Sequence, residues 1–144
     1  MIDINQIADW TEYLGATFEE VSPCTVTPAQ LEAYVQVSGD ANAIHQGDEA
    51  IIPGNLLVSL VPHFVQQHLN LDDTIIGMTV GYDKVRFKAP VKLDEQLFFK
   101  AEITQVRLHK DAAYVAYQVM CERAGQMVMS LEMRDHYAQK KTAV

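Results

Sequence analysis

The apolar residues of this chain change rhythm part-way along it. As far as about residue 70 they recur at helical spacing, and beyond Asp72-Asp73 β-branched and aromatic residues take over in strand-like runs. Ile4, Ile7, Trp10 and Leu14 share one helical face and Gly15 can cap its end, which predicts a short N-terminal helix within residues 1–16. Phe18 to Val26 reads as a strand interrupted at Pro23. Thr27-Pro28-Ala29-Gln30 then combines an N-cap, a first-turn proline and a capping-box glutamine. A helix from Pro28 to Val37 follows, with Leu31, Tyr34 and Val35 on its apolar side and Gly39 at its end. The segment Gly54 to Leu69 carries Leu56, Leu57, Leu60, Val61, Phe64 and Val65, a coverage too broad for a surface helix. It is predicted to be the helix at the centre of the core.

The back half reads as four strands: Thr74 to Phe87, Gln96 to Leu108, Ala112 to Glu122 and Gln126 to Tyr137. Pro90 to Glu95, Lys110-Asp111 and Ala124-Gly125 separate them, and loops this short make antiparallel neighbours. Such a sheet must cover its apolar face, and the central helix is the long apolar element available to do so. The fold class is therefore α+β, an antiparallel sheet curled around a helix. Met127, Met129 and Met133 fit as core filling.

Composition narrows the setting. A chain of 144 residues that is 49% hydrophobic suits one domain over residues 1–144 with a core that needs no staples. The net charge of −8 argues against nucleic acid as a partner, because neutralising phosphates needs a basic footprint. The start MIDINQIADW has no basic n-region, and Pro53, Asn55 and Pro62 break the richest apolar stretch, so neither a signal peptide nor a membrane span is read. The cytoplasm is the expected compartment. Cys24 and Cys121 have no metal-like spacing and read as ordinary thiols. His63 and His68 lie one step off the i, i+4 spacing that converges two ligands, so they read as structural or solvent-facing and no metal is expected.

The chemistry concentrates between Ser38 and Asn55. Asp40 and His45 place a carboxylate and an imidazole five positions apart on a polar loop that hangs from a helix C-terminus. Pro53-Gly54 then opens the next helix, whose first backbone N–H groups have no intrahelical partner. Acid, base and an N–H donor for a developing oxyanion fall within one short segment. Lys84, Arg86 and Lys88 alternate along one strand, as a phosphate site or as a solvated face that discourages edge aggregation.

The run Tyr34-Val-Gln-Val-Ser-Gly-Asp40-Ala-Asn42-Ala-Ile-His45 resembles the hydratase signature of the MaoC-like dehydratases, the (R)-specific enoyl-CoA hydratases of the hot-dog fold. Ile52-Pro53-Gly54-Asn55-Leu56-Leu57-Val58-Ser59-Leu60 resembles the start of that family's central helix, and Val85 to Val91 its strand-ending segment. This chain carries Ala43, Pro53 and Asn55 where the family commonly has proline, histidine and an aliphatic residue, and its loop-to-helix segment is shorter. The resemblance implies that Asp40 and His45 hold one water and add it to a 2-enoyl thioester, or remove it from a 3-hydroxyacyl thioester. It implies Gly54, Asn42 and Ser59 around the thioester, with Asn42 either bracing the loop or binding the substrate. The acyl group would be carried on coenzyme A or on acyl carrier protein, in fatty acid metabolism, with no cofactor. A homodimer is implied too, with the acyl pocket at its interface. Two alternatives stand beside this reading: a thioesterase on the same fold, with Asp40 or Asp48 activating water against the thioester carbon, and a noncatalytic acyl-thioester-binding protein.

Overall fold

In the computed structural model, which describes residues 1–141, an antiparallel sheet of five strands wraps a broken central helix. In chain order the elements are β1 (Ile2–Ile4), a 3-10 helix (Ile7–Tyr13), β2 (Thr17–Glu19), α1 (Pro28–Ser38), a 3-10 turn (Ala43–His45), α2 (Gly54–Ser59), α3 (Val61–Gln66), β3 (Leu69–Leu71), β4 (Ile75–Phe87), β5 (Phe98–His109), β6 (Ala112–Arg123) and β7 (Gln126–Gln139). The large sheet runs β2-β5-β6-β7-β4, and β1 and β3 form a separate parallel pair. The four long strands agree with the runs read from sequence to within a few residues at each end.

Three elements differ. Ile4 lies in β1, paired with Leu71, so the N-terminal helix is a 3-10 helix confined to Ile7–Tyr13. Its two buried side chains are Ile7 and Trp10. Beyond Glu19 the strand read as far as Val26 gives way to irregular chain that touches the sheet through a bridge from Cys24 to Leu97. Pro23, with no N–H to add to a ladder, stands inside that stretch. The central helix is two pieces, because Pro62 cannot donate back to Val58 and disfavours helical geometry at the residue before it.

The broken helix still fills the sheet. Leu57, Val61, Phe64 and Val65 are buried in the same cluster as Phe99, Tyr117, Val119, Leu131 and Met133. Phe64 stacks on Phe99 at 5.6 Å and meets Phe18 at 5.4 Å, which ties α3 to β5 and β2. Met129 and Met133 are wholly buried, as core filling requires, and Met127 is half-buried beside the last turn.

A chain of polar groups crosses this apolar interior. Tyr117 and Tyr137 share a hydrogen bond of 2.7 Å, the Tyr137 hydroxyl donates to Asp135 Oδ2 at 2.9 Å, and Thr79 Oγ1 donates to Asp135 Oδ1 at 2.8 Å. Burial pushes the Asp135 carboxyl above the usual carboxylate range even though both hydrogen bonds pull it down. A carboxyl that holds its proton more tightly folded than unfolded stabilises the fold fully in acid, and loses that contribution as pH rises through its folded value. Asp135→Asn removes the titration. Urea unfolding between pH 4 and 8 should then show a flatter stability curve for the variant, and an unchanged curve would contradict this origin.

Candidate active site

Local sequence sets the frame of the loop. Thr27 Oγ1 accepts from the Gln30 N–H at 3.2 Å while Gln30 Oε1 accepts from the Thr27 N–H at 2.9 Å, so α1 starts with the reciprocal cap read from sequence. At its other end Gly39 turns left-handed at φ 73°, and its N–H closes on the Val35 carbonyl. The chain is thereby turned out of the helix at Asp40.

Successive side-chain bonds then fold the loop. The Asp40 N–H donates to Ser38 Oγ at 3.1 Å, the Asn42 N–H to Asp40 Oδ1 at 3.4 Å, and the Ile44 N–H to Asn42 Oδ1 at 3.2 Å. Asn42 thus caps the 3-10 turn that carries His45. The far end is fixed on the sheet side, where the Ile52 N–H donates to the Val91 carbonyl at 2.7 Å and Ile51 bridges to Lys92.

These supports bring the two predicted residues together. His45 Nδ1 lies 2.5 Å from the Ile51 carbonyl oxygen, and a carbonyl only accepts, so Nδ1 carries a proton. The other nitrogen, Nε2, faces Asp40 Oδ2 at 3.5 Å. The imidazole is 10% exposed and the carboxylate 38% exposed, so the histidine is held inside while the aspartate reaches solvent. The arrangement sets an imidazole nitrogen and a carboxylate oxygen side by side, two groups able to exchange a proton with a water or a substrate.

His45 also lines a cleft of about 320 Å³ with Gly54, Leu57, Phe87 and Lys88. Its walls are mostly apolar, as a substrate chain would need. Lys88 is the member of the predicted cationic trio that reaches this cleft. The alternation proposed for the trio fails at Lys84, which adopts φ 53° in a bulge between Asp83 and Arg86. The extra residue puts Arg86 on the same face as Asp83, and the Arg86 guanidinium turns back to the Val85 carbonyl at 3.0 Å. Ser59, also predicted at the thioester, is not among the cleft residues and donates its hydroxyl to the Leu56 carbonyl at 2.6 Å. Asp48 is exposed on the loop outside the cleft.

Two contributors escape a reading of the sequence. Arg123 at the end of β6 donates to the Pro90 carbonyl at 2.5 Å and pairs with Glu95 at 3.3 Å, anchoring the segment that walls the cleft. The Phe87 ring stands directly over Gly54. Arg123 belongs to no short motif, and the Val85 to Val91 resemblance gives Phe87 no role, since each acts on chain distant in sequence.

Comparison with known proteins decides the family. The description "MaoC like domain" matches residues 10–123. The chain belongs to the MaoC-like domain family. Its fold is the hot-dog fold, shared with solved structures of low identity. A monoamine oxidase regulatory protein from Archaeoglobus fulgidus superposes with TM-score 0.79 at 20% identity, over 97% of each chain. An (R)-hydratase from A. caviae, described as involved in PHA biosynthesis, gives 0.67 at 21% identity, over 85% of this chain and 94% of that one. A mutant fluoroacetyl-CoA-specific thioesterase gives 0.68 at 12% identity, over 88% and 94%. No curated protein matches the sequence. No helix among the described residues is long and apolar enough to cross a membrane, and no group of three or more His, Cys, Asp or Glu there is arranged for a metal ion.

Proposed function

We propose that this MaoC-like protein adds water to 2-enoyl thioesters, and in reverse dehydrates 3-hydroxyacyl thioesters, with Asp40 and His45 as the catalytic pair. The observation that carries this reading is the placement of the His45 ring. Nδ1 is held by the Ile51 carbonyl, Nε2 faces the Asp40 carboxylate, and the imidazole lines an apolar cleft.

The pair accepts the two O–H groups of one water and aims its oxygen at the β-carbon. As the C–O bond forms, one of the two takes a water proton, and the α-carbon receives a proton from the pair, so that one water is added and none of the protein's groups is consumed. Negative charge collects on the thioester oxygen during the step. The Gly54 N–H, at the start of α2 and without an intrahelical acceptor, is proposed as its donor. Asn42 acts through the loop it caps, and Lys88 at the mouth suits the anionic part of coenzyme A or of a carrier protein's phosphopantetheine. The protein is proposed to work as a cytoplasmic homodimer.

Following product and substrate together tests the reaction. Hydration consumes the conjugated enoyl absorbance of crotonyl-CoA with no free thiol, whereas a thioesterase on the same site releases thiol. Thiol release in step with substrate loss would replace the hydratase by the thioesterase. Binding without either change would leave an acyl-thioester-binding protein.

A further inference from the structure

Phe87 is the last residue of β4 and pairs with the buried Met129, so its side chain points to the inner side of the sheet. It is nevertheless 51% exposed, an unusual state for a large apolar ring that faces inward. Its position explains this. A Cβ built on Gly54 would lie 2.5 Å from the ring Cζ and 2.7 Å from Cε1 and Cε2, so the tip of the ring stands over the bare Cα of Gly54. Both residues line the cleft that contains His45. The ring leaves the core to close one side of the cleft, and only a glycine at position 54 lets it come so near.

We infer that Phe87 is a specificity-determining residue that takes the space beside the α-carbon of the bound acyl group and so restricts the site to thioesters unbranched at that carbon. The inference rests on the proposed binding of the thioester oxygen at Gly54. With that oxygen on the Gly54 N–H, the carbonyl carbon and its α-carbon neighbour lie beside the ring. An α-methyl group then competes with the ring for one volume, and a rigid backbone at Gly54 gives no room on the other side. One methyl group in a shaped apolar pocket changes discrimination by about 10–200-fold, so the effect is within reach of measurement.

The test compares the wild type with Phe87→Ala on crotonyl-CoA and 2-methylcrotonyl-CoA. It also compares their affinity, by calorimetry, for unreactive ketone analogues of butyryl-CoA and 2-methylbutyryl-CoA, in which a methylene separates the sulfur from a carbonyl that is retained. The wild type should prefer the unbranched member of each pair by about tenfold or more, and the variant should reduce that preference at least about tenfold, within the range expected for one methyl group. A second measurement reads the contact itself. Gly54→Ala should lower the thermal midpoint in the wild-type background and lose most of that effect in Phe87→Ala, as coupled neighbours do. If neither thioester turns over but the analogues show the preference and its loss in the variant, the hydratase reading fails and the role of Phe87 stands. If hydration proceeds with the same preference in wild type and variant, the hydratase stands and the role of Phe87 is overturned. Absence of any preference in the wild type, or of any analogue binding, overturns it as well.

Discussion

Asp40→Asn and His45→Ala should each lower the hydration of a short 2-enoyl thioester by about 10²–10⁴-fold, the range typical of positioned acid–base groups. The two substitutions remove different things. Asparagine at position 40 keeps an oxygen able to accept from the Asn42 N–H, so the loop retains its hydrogen bond while the proton acceptor is lost. Alanine at position 45 removes both the Nε2 that faces Asp40 and the Nδ1–H held by Ile51. Because the two act on one water, the double variant should be little worse than the weaker single variant, since groups that act as a unit are far from additive. The loop sits outside the main core, and circular dichroism and thermal midpoints should stay close to wild type. Turnover near the wild-type rate in either variant, measured at saturating substrate, would remove that residue from the mechanism.

Local signals were the legible part of this fold. The cap at Thr27 to Gln30 and the glycine stop at Gly39 are short-range chemistry, and α1 starts at Pro28 and turns out of the helix at Gly39 as read. The long strands β4 to β7 are likewise visible, because turn residues bracket β-prone runs. What sequence periodicity does not carry is pairing. The β1 and β3 segments are three residues each and gain strand geometry from one another across the chain, so Ile4 and Leu69 satisfy a helical pattern without being helical. The bulge at Lys84 has the same character, since alternation in sequence assumes a regular ladder and one extra residue resets the faces beyond it.

The candidate site divides along the same line. Asp40 and His45 are side chains with a recognisable spacing, and the structure places them 3.5 Å apart. The group that orients His45 is the main-chain carbonyl of Ile51, which no side-chain motif reports. Phe87 and Gly54 meet through tertiary packing, and the Val85 to Val91 resemblance that includes Phe87 does not report that contact. Gly54 is consequently both a proposed oxyanion donor and a packing partner, and a β-branched residue there should disturb both roles.

Placing a charge at Met78 should abolish dimerisation and turnover together. β4 is the outer strand of the sheet, thirteen residues long, with β7 on one side and nothing on the other among the described residues. It carries Ile76, Met78 and Val80 at 56%, 62% and 51% exposure, a strip of apolar surface beside a row of unpaired backbone groups. Bulges occur between Thr79 and Gly81 and between Asp83 and Arg86, so the straight segment from Ile75 to Thr79 is the part best able to pair with a second copy. A two-fold contact there joins the same apolar strip of each chain. Full burial of such a side chain is worth about 1.5–3 kcal/mol, and two copies of each contribute. Met78→Asp puts one carboxylate from each chain into that apolar strip, and unpaired buried charge is strongly unfavourable. The same strand ends at Phe87 in the wall of the cleft, so loss of the partner should open the site as it separates the chains. Light scattering coupled to an activity assay during dilution should show the mass falling toward the 16.2 kDa of one chain as turnover falls. A preparation that scatters as one chain and turns over at the full rate would refute the link.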